Sequence, residues 1–247
     1  MNIALIGYGK MGKAIHEIAN QKNEQLGENK YNIQLIVDID NRATITLEDL
    51  QKCDVAIEFT SPHTAIDNIK WCFEAGIPVV VGSTGWLDKL DEIKALASSK
   101  NQTILYSPNF SIGVNIFFEM NRQLAKIMNK YDAYDVEMEE IHHTEKKDAP
   151  SGTALYAALD VLKFVDRKAD WKNEQTKSEN TLDIISLREP NVPGTHTVTY
   201  NSEIDSIELK HTAHNRKGFA GGAVVAAEWL VGKKGVYTMD DVLGFNQ

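Results

Sequence analysis

Short apolar runs alternate with stretches of helical periodicity through the first hundred residues. The apolar runs predict strands, the stretches between them predict helices, and the polar insert at 23–32 is expected to loop out. The predicted strands are residues 3–6, 35–37, 55–59, 79–81 and 103–106, and the predicted helices are residues 10–21, 64–75 and 88–99. Strands that alternate with helices indicate an α/β fold with a doubly wound parallel sheet.

The pattern changes after Pro108. An amphipathic helix is predicted at 115–128, a strand with one wet face at 135–142, and a second helix from Ser151. Three further runs, at 184–187, 195–200 and 206–212, resemble antiparallel strands, whereas the polar stretch 166–181 is expected to be a loop or an exposed helix. We therefore expect a second, α+β domain with a mainly antiparallel or mixed sheet.

The alanine-rich stretch 221–231 predicts one more helix, and its apolar character suggests that it packs back on the first domain. The first domain is consequently expected to be discontinuous in sequence. Residues 1–108 and 218–247 would form a dinucleotide-binding domain, and residues 109–217 a substrate-binding and oligomerisation domain.

Composition narrows the classes of partner. Of 247 residues, 43% are hydrophobic and 25% charged, as in ordinary globular proteins. The formal net charge of −9 disfavours nucleic acid as a partner. Two cysteines, Cys53 and Cys72, are too few for a disulfide framework or a four-thiolate metal site. The sequence suggests neither an export signal nor an apolar tract of membrane-spanning length, so we expect a cytoplasmic protein without membrane contact.

A glycine-rich turn follows the first predicted strand. Gly7-Tyr8-Gly9-Lys10-Met11-Gly12 matches G-x-G-x-x-G, whose glycines let backbone N–H groups approach a pyrophosphate at a helix N-terminus. Alone, the pattern is weak and also fits a simple tight turn. Asp38, at the end of the second predicted strand and 26 positions after Gly12, is placed to accept hydrogen bonds from a ribose. Together these features predict a Rossmann-type dinucleotide site.

The choice between NADH and NADPH depends on the charge near the ribose 2′ position. Ile39 follows Asp38, so no arginine is adjacent, and an Asp repels a 2′-phosphate. NADH is therefore the expected preference, although Lys10 or Arg42 would still be able to reach a phosphate, which leaves NADPH open.

A second group of chemically capable residues lies at 140–153. His142, His143, Lys146 and Lys147 stand just before a predicted helix start, where Gly152 and Thr153 would complete a cradle for a carboxylate. Alone, adjacent histidines more often form a surface pair. Metal binding is a poorer interpretation, since the other close pair, His211 and His214, is on a different predicted element, and no metal is expected. Cations gathered in an acidic protein favour a small anionic substrate.

The stretch E-I-H-H-T-E-K-K-D-A-P-S-G-T-A-L, residues 140–155, resembles the signature of the 4-hydroxy-tetrahydrodipicolinate reductases, also called dihydrodipicolinate reductases. The resemblance extends along nearly the whole chain. Its other motifs are the opening G-Y-G-K-M-G, D-V-A-I-E-F-T-S-P from Asp54, V-G-S-T-G from Val81, S-P-N-F-S-I-G-V-N from Ser107, and H-T-A-H-N-R-K-G-F-A-G-G-A from His211.

The resemblance implies an NAD(P)H-dependent oxidoreductase that reduces 4-hydroxy-tetrahydrodipicolinate, via dihydrodipicolinate, to tetrahydrodipicolinate in lysine and diaminopimelate biosynthesis. It also implies a homotetramer formed through the sheet of the second domain. By position, His142 matches the family's general acid, and Lys146 the lysine that assists protonation and holds the substrate. The family's substrate-binding positions match His143, Gly152 and Thr153. Its loop around the nicotinamide matches Gly82, Ser83 and Thr84, with Ser83 in place of a threonine. Its segment that contacts the cofactor matches Ser107, Pro108, Asn109 and Phe110.

Two other functions are compatible with the dinucleotide motif. Another Rossmann-type NAD(P)-dependent dehydrogenase of the amino-acid class would share Gly7, Gly9, Gly12 and Asp38 but has no need of the signature at 142–153. A non-catalytic NADH-binding redox sensor would tolerate the loss of His142 and Lys146. The presence of that pair favours the reductase.

Overall fold

The computed structural model describes residues 1–176, 178–215 and 217–246. Lys177, in the polar stretch, and Arg216, in the last quoted motif, lie outside the described residues. The chain forms two compact units, Met1–Ile112 with Lys217–Gln247 and Gly113–Arg216. No helix among the described residues is long and apolar enough to cross a membrane.

The first unit is built on a parallel sheet. Its elements are β1 Asn2–Ile6, α1 Lys10–Leu26, β2 Asn32–Val37, α2 Leu47–Leu50, β3 Val55–Glu58, α3 Pro62–Ala75, β4 Val79–Val81, a 3-10 turn Leu87–Lys89, α4 Leu90–Ser99, β5 Thr103–Tyr106, α7 Lys217–Leu230, β11 Gly235–Tyr237 and α8 Met239–Leu243. The six strands run in the order β11-β5-β4-β3-β1-β2, and every neighbouring pair is parallel. The prediction of a doubly wound parallel sheet is confirmed.

Alternate strand residues feed two separate cores, one on each face of this sheet. Ile6, Val79 and Ile104 pack with residues of α3 and α4 on one face. Ile3, Leu5 and Leu105 pack with residues of α1 and α7 on the other. Because both faces are covered, the strands read as continuous apolar runs rather than as alternating ones. The predicted packing of the alanine-rich helix against the first unit is confirmed.

The prediction from the sequence was wrong for part of the first unit. The insert at 23–32 does not loop out from its start, since α1 continues to Leu26 and ends at Gly27, which has a left-handed φ of 69°. Residues 23–25 are polar, but neither they nor Leu26 is a helix breaker, so the helix continues until glycine ends it. Three short elements, α2, β11 and α8, were not predicted.

The second unit is a mixed sheet with two helices. Its elements are α5 Ile112–Met128, β6 Asp135–His142, α6 Gly152–Phe164, β7 Asp170–Lys172, β8 Thr181–Arg188, β9 Gly194–Asn201 and β10 Ser206–Ala213. The strand order is β10-β9-β6-β8-β7. Phe118 of α5 and Val161 of α6 share a core with Met138, Ile184 and Val198 of the sheet.

Two predictions for this sheet were wrong in part. The run at 184–187 belongs to β8, which pairs parallel to β6, and only β9 and β10 run antiparallel to their neighbours. The stretch 166–181, expected to be a loop or exposed helix, contributes the edge strand β7, parallel to β8. Strand direction depends on the route of the connecting chain, which the local pattern does not reveal.

Gly222 of α7 provides a test of how closely this helix packs in the first unit. A Cβ at Gly222 would lie 1.7 Å from the backbone oxygen of Phe110, whereas one at Gly221 would meet nothing within 4 Å. We expect Gly222→Ala to destabilise the fold by about 1–3 kcal/mol, because rigid backbone must shift. Gly221→Ala, the matched control, should be neutral or stabilising by about 0.5–1 kcal/mol. Urea denaturation measures both, and equal effects would contradict the close approach.

Candidate active site

The glycine turn after β1 is shaped by three different demands. Gly7 has a φ of 94°, and a Cβ there would lie 2.2 Å from the backbone oxygen of Phe59. A Cβ at Gly12 would lie 2.1 Å from the oxygen of Gly7, so this glycine lets the helix sit close to the turn. Gly9 has no such neighbour within 4 Å. Two glycines thus serve the fold, and the third leaves open space at the helix start.

The N-terminus of α1 is suited to an anion. Its cap residue, Gly9, provides no side-chain hydrogen bond, and the first turn carries no acidic residue. The unpaired N–H groups and the positive end of the helix dipole therefore lie next to the space beside Gly9. These observations fit the pyrophosphate of a dinucleotide.

Asp38 is exposed and follows the last residue of β2. Its Oδ1 accepts a hydrogen bond from the backbone N–H of Ile39 at 2.9 Å, and its own N–H donates to Asn41 Oδ1 at 2.8 Å. Arg42 lies nearby in sequence, but its guanidinium stacks on the ring of Trp71, 3.4 Å from the ring centroid. The acid is thus held at the sheet edge while the adjacent cation is engaged elsewhere.

The residues after β4 and β5 lie at the same edge of the sheet. The backbone N–H of Gly82 donates to Glu58 O, and the ring of Phe59 lies so near that a Cβ at Gly82 would be 2.0 Å from it. Ser83, Thr84, Tyr106, Ser107 and Pro108 take part in lining a small cavity of about 80 Å³. Asn109 and Phe110 are buried beside this segment, with the hydroxyl of Ser107 donating to Asn109 O.

Glu58, the last residue of β3, is completely buried at this edge. Its Oε1 accepts hydrogen bonds from the backbone N–H and hydroxyl of Thr60 and from Asn68. Burial raises the pKa of the Glu58 carboxyl, and the hydrogen bonds only partly oppose that rise. The N–H of Thr60 also donates to Ser83 Oγ at 2.8 Å, which connects the acid to the loop after β4.

In the second unit, the end of β6 presents His142 beside Glu140. The two residues are two apart on one strand and so share a face of the sheet. His142 Nδ1 pairs with Glu140 Oε2. The other carboxylate oxygen, Oε1, accepts from two nitrogens of Arg188 at 3.0 and 3.1 Å. Burial opposes ionisation of Glu140, but the bonds to His142, Ser186 and Arg188 outweigh it and lower its pKa to about 2.

Lys146 and His143 lie in the loop that follows His142. Lys146 Nζ donates to both carboxylate oxygens of Asp148, at 2.8 and 2.9 Å. This hydrogen bond lowers the pKa of the Asp148 carboxyl. His143 Nδ1 lies 2.8 Å from Glu145 Oε2. His143 also borders an open cavity of about 200 Å³ together with Asn191, Pro193 and Asn215.

The start of α6 joins this cluster through Ser151. The Ser151 hydroxyl caps the helix by accepting from the N–H of Ala154, and it lies 3.0 Å from His196 Nε2. Gly152 begins the helix, and a Cβ there would meet nothing within 4 Å. The rings of His196 and His142 are 5.1 Å apart, so the helix start, with Gly152 and Thr153, lies close to the end of β6.

Glu140, His142 and His196 place three ligand-type atoms within 4.8 Å of one another. A metal ion there would compete with the guanidinium of Arg188 for the carboxylate and with Ser151 for His196. Burial, aided by the charge of His142, lowers the pKa of His196 to about 3. Two of the three candidate ligands therefore already have polar partners, Arg188 for Glu140 and Ser151 for His196.

Sequence reasoning gave no role to Glu58, Glu140, Arg188 or His196. Glu140 was detectable, because its spacing of two from His142 puts both on one face of a predicted strand. Arg188 and His196 come from β8 and β9, and only the strand pairing brings them to His142. Nothing local in the sequence signals that pairing.

Comparison with known proteins identifies the relatives of this chain. The family model described as dihydrodipicolinate reductase, N-terminus, matches residues 1–110, and that described as dihydrodipicolinate reductase, C-terminus, matches residues 113–243. The chain belongs to the dihydrodipicolinate reductase family. As a member of this family, it is an NAD(P)H-dependent oxidoreductase.

Curated relatives support this membership over the full length. The 4-hydroxy-tetrahydrodipicolinate reductase of Christiangramia forsetii is 46% identical over 98% of this chain and 98% of its own. That of Methanosarcina barkeri is 37% identical over 99% of both chains. Among solved structures, a dipicolinate-bound dihydrodipicolinate reductase from Paenisporosarcina shares the fold, with a TM-score of 0.76 and 23% identity over 96% of this chain and 97% of that one.

The buried carboxyl of Glu58 should make the fold less stable as pH rises. Its pKa is raised in the folded state, so its contribution is fully present below the unfolded value and is lost as pH increases. Glu58→Gln removes the ionisable group, and its Tm should equal that of the wild type near pH 4. By pH 8 its Tm should exceed that of the wild type, by about 2–4 °C for each kcal/mol of stability that the wild type loses, as expected for a chain of this size.

Thermal unfolding followed by circular dichroism at several pH values measures this difference. Glu74→Gln, which removes the same charge from an exposed site in α3, is the control and should show no pH-dependent gain. A Tm difference for Glu58→Gln that is constant across pH would contradict the burial effect.

Proposed function

We propose that this chain reduces 4-hydroxy-tetrahydrodipicolinate, via dihydrodipicolinate, to tetrahydrodipicolinate in lysine and diaminopimelate biosynthesis. The observation that carries the mechanism is the pairing of His142 with the buried carboxylate of Glu140 at the end of β6, with Lys146 in the loop that follows. The names of the curated relatives support the substrate, and the dipicolinate in the Paenisporosarcina enzyme supports a small cyclic dicarboxylate.

The first unit would hold the nicotinamide nucleotide, and when bound this cofactor supplies the hydride. The open space beside Gly9 and the uncapped start of α1 fit its pyrophosphate. Asp38 would accept hydrogen bonds from the ribose hydroxyls. The full set of proposed cofactor-binding residues is Gly7, Tyr8, Gly9, Lys10, Met11, Gly12, Asp38, Gly82, Ser83, Thr84, Ser107, Pro108, Asn109 and Phe110.

The second unit would bind the dicarboxylate and supply the proton. His142 donates the proton that balances the added hydride, since an imidazole exchanges protons near neutral pH. Lys146 exchanges Asp148 for a substrate carboxylate, which its ammonium neutralises. His143, Gly152 and Thr153 hold the substrate, with the N-terminus of α6 free of acidic residues that would repel it.

The assembly and location follow the family. We propose a homotetramer formed through the sheet of the second unit, where Leu187 and Ile207 expose apolar side chains. We also propose that the enzyme works in the cytoplasm, without nucleic-acid or membrane partners.

Removing His142, the proposed proton donor, or Lys146, the cation proposed to bind the substrate, should lower the rate of catalysis without weakening cofactor binding. We expect His142→Ala or Lys146→Ala to lower kcat by about 100-fold or more while NADH affinity is unchanged. The assay follows NADH oxidation, with substrate generated from pyruvate and aspartate semialdehyde by the preceding synthase, and fluorescence titration gives the NADH Kd. Lys130→Ala, which removes an exposed lysine of the second unit outside this group, is the control and should keep wild-type turnover.

The assay also tests the activity itself. A folded wild-type protein that binds NADH but gives no substrate-dependent turnover with NADH or NADPH would overturn the proposed substrate. If His142→Ala instead lost NADH affinity in proportion to kcat, the proposed roles of the second unit would be wrong.

We further propose that NADH is preferred over NADPH. The Asp38 carboxylate would repel a 2′-phosphate, and Arg42 is stacked on Trp71 rather than extended beside Asp38. The expected ratio of kcat/KM values is about tenfold or more in favour of NADH, which corresponds to about 1.4 kcal/mol of charge repulsion. Asp38→Asn should narrow this ratio and the exposed control Asp40→Asn should not. An NADPH preference in the wild type would contradict the proposal.

A further inference from the structure

Glu140 is a fully buried carboxylate that the proposed reaction does not consume. It lies on β6, the central strand of the second sheet, between β8 and β9. A buried ion pair can often be replaced by apolar side chains of similar volume without loss of stability. The fold alone therefore does not explain why a charged group occupies this position.

Both oxygens of this carboxylate are engaged, and each by a different kind of group. Oε2 pairs with His142 Nδ1, and Oε1 accepts from the Arg188 guanidinium. With a pKa of about 2, Glu140 is an anion at neutral pH. A carboxylate facing Nδ1 keeps a proton on that nitrogen, so it fixes the tautomer of the ring.

The opposite nitrogen of His142 faces a glycine. A Cβ at Gly194, the first residue of β9, would lie 3.0 Å from His142 Nε2. The position therefore keeps side-chain atoms away from Nε2. With Nδ1 committed to Glu140, Nε2 is the atom that can pass a proton to a ligand.

Arg188 reaches past the carboxylate to the loop that carries Lys146. Its guanidinium donates to the backbone oxygen of Asp148 at 2.7 Å and to that of Lys146 at 3.4 Å. One side chain thus bridges the partner of His142 and the backbone on which Lys146 stands.

We propose that Glu140 and Arg188 form a positioning pair that sets the tautomer of His142 and the placement of the Lys146 loop together. The inference rests on the proposed roles of His142 and Lys146. Neither member of the pair touches the reacting atoms in this scheme. Glu140 acts through the imidazole, and Arg188 acts through Glu140 and through two backbone carbonyls.

The other groups around His142 are consistent with this assignment. His196 of β9 faces it with ring centroids 5.1 Å apart, and burial keeps His196 neutral by lowering its pKa to about 3. Ser151, from the start of α6, contacts His196 and is uncharged. Among the described residues, the charged groups of the cluster are therefore Glu140, Arg188, Lys146 and Asp148, the carboxylate to which Lys146 donates.

The first test removes the negative charge with little change of shape. Glu140→Gln should lower kcat by about 10- to 100-fold with an unchanged NADH Kd, and should move the alkaline limb of the kcat profile to lower pH, because the imidazolium loses its counter-charge. Glu140→Asp keeps the charge and should keep the position of that limb, though with reduced kcat. Glu139→Gln, one residue away on the opposite face of β6, should match the wild type.

The second test concerns Arg188. Arg188→Lys keeps a cation but loses the planar fork that reaches a carboxylate and two carbonyls at once. It should raise the substrate KM about tenfold or more and lower kcat, because the Lys146 loop is no longer fixed. Arg167→Lys is the control, since Arg167 also donates to two backbone oxygens of the second unit, those of Met128 and Tyr134, and touches neither Glu140 nor the loop.

A measurement that needs no catalytic turnover tests the positioning pair independently of the proposed activity. ¹⁵N NMR of labelled histidine should show His142 protonated at Nδ1 in the wild type and in Glu139→Gln, and a shift towards the other tautomer in Glu140→Gln. A wild type that shows the Nδ1 signature but no turnover would overturn the proposed function and leave the pairing intact. A Glu140→Gln variant with wild-type tautomer and pH limb would overturn the positioning role, whatever its kcat.

Discussion

Each of the two sheets has a fully buried carboxylate at or near the end of an interior strand, Glu58 in the first and Glu140 in the second. The burial of each carboxylate constrains which groups can surround it. Burying a charge is costly unless hydrogen bonds or an opposite charge compensate it. Glu58 receives hydroxyl, amide and backbone N–H groups but no cation, and its pKa is raised. Glu140 receives a guanidinium and an imidazole, and its pKa falls to about 2. Burial without a cation thus raises the pKa of one carboxyl, and burial beside two cationic-type groups lowers the pKa of the other.

Close backbone approach is the second consequence of crowding at these strand ends. In the first unit, the turn at Gly7 lies against the backbone that follows Glu58, and Gly82 lies beneath the ring of Phe59. In the second, a Cβ at Gly194 would lie 3.0 Å from His142 Nε2. Each of these glycines keeps a Cβ out of a space that the fold or the ligand needs. Their placement follows from the strand ends that they adjoin.

Local patterns predicted the elements whose residues carry their own signal. The βαβ start and β6 were found because apolar spacing, glycine position and strand alternation are short-range features. The edge strands β7 and β11 were missed because neither is a continuous apolar run, whereas β4, of the same length, consists of three valines. The direction of β8 and the arrival of Arg188 at Glu140, 48 residues away, depend on which strands pair. The signature at 142–153 contains His142 and Lys146, whereas Arg188 and His196 reach His142 from β8 and β9, through strand pairing that the signature does not encode.

The charges at the end of β6 restrict which group there can exchange a proton. Glu140 is fixed as an anion by the groups that bond to it, and His196 is fixed as neutral by its burial. In the proposed reaction, the group of this cluster that exchanges the proton is therefore His142, which contacts both Glu140 and His196. Because its Nδ1 faces the anion, the proposal assigns the exchange to Nε2. In that scheme the buried acid directs the reaction without changing its own protonation state.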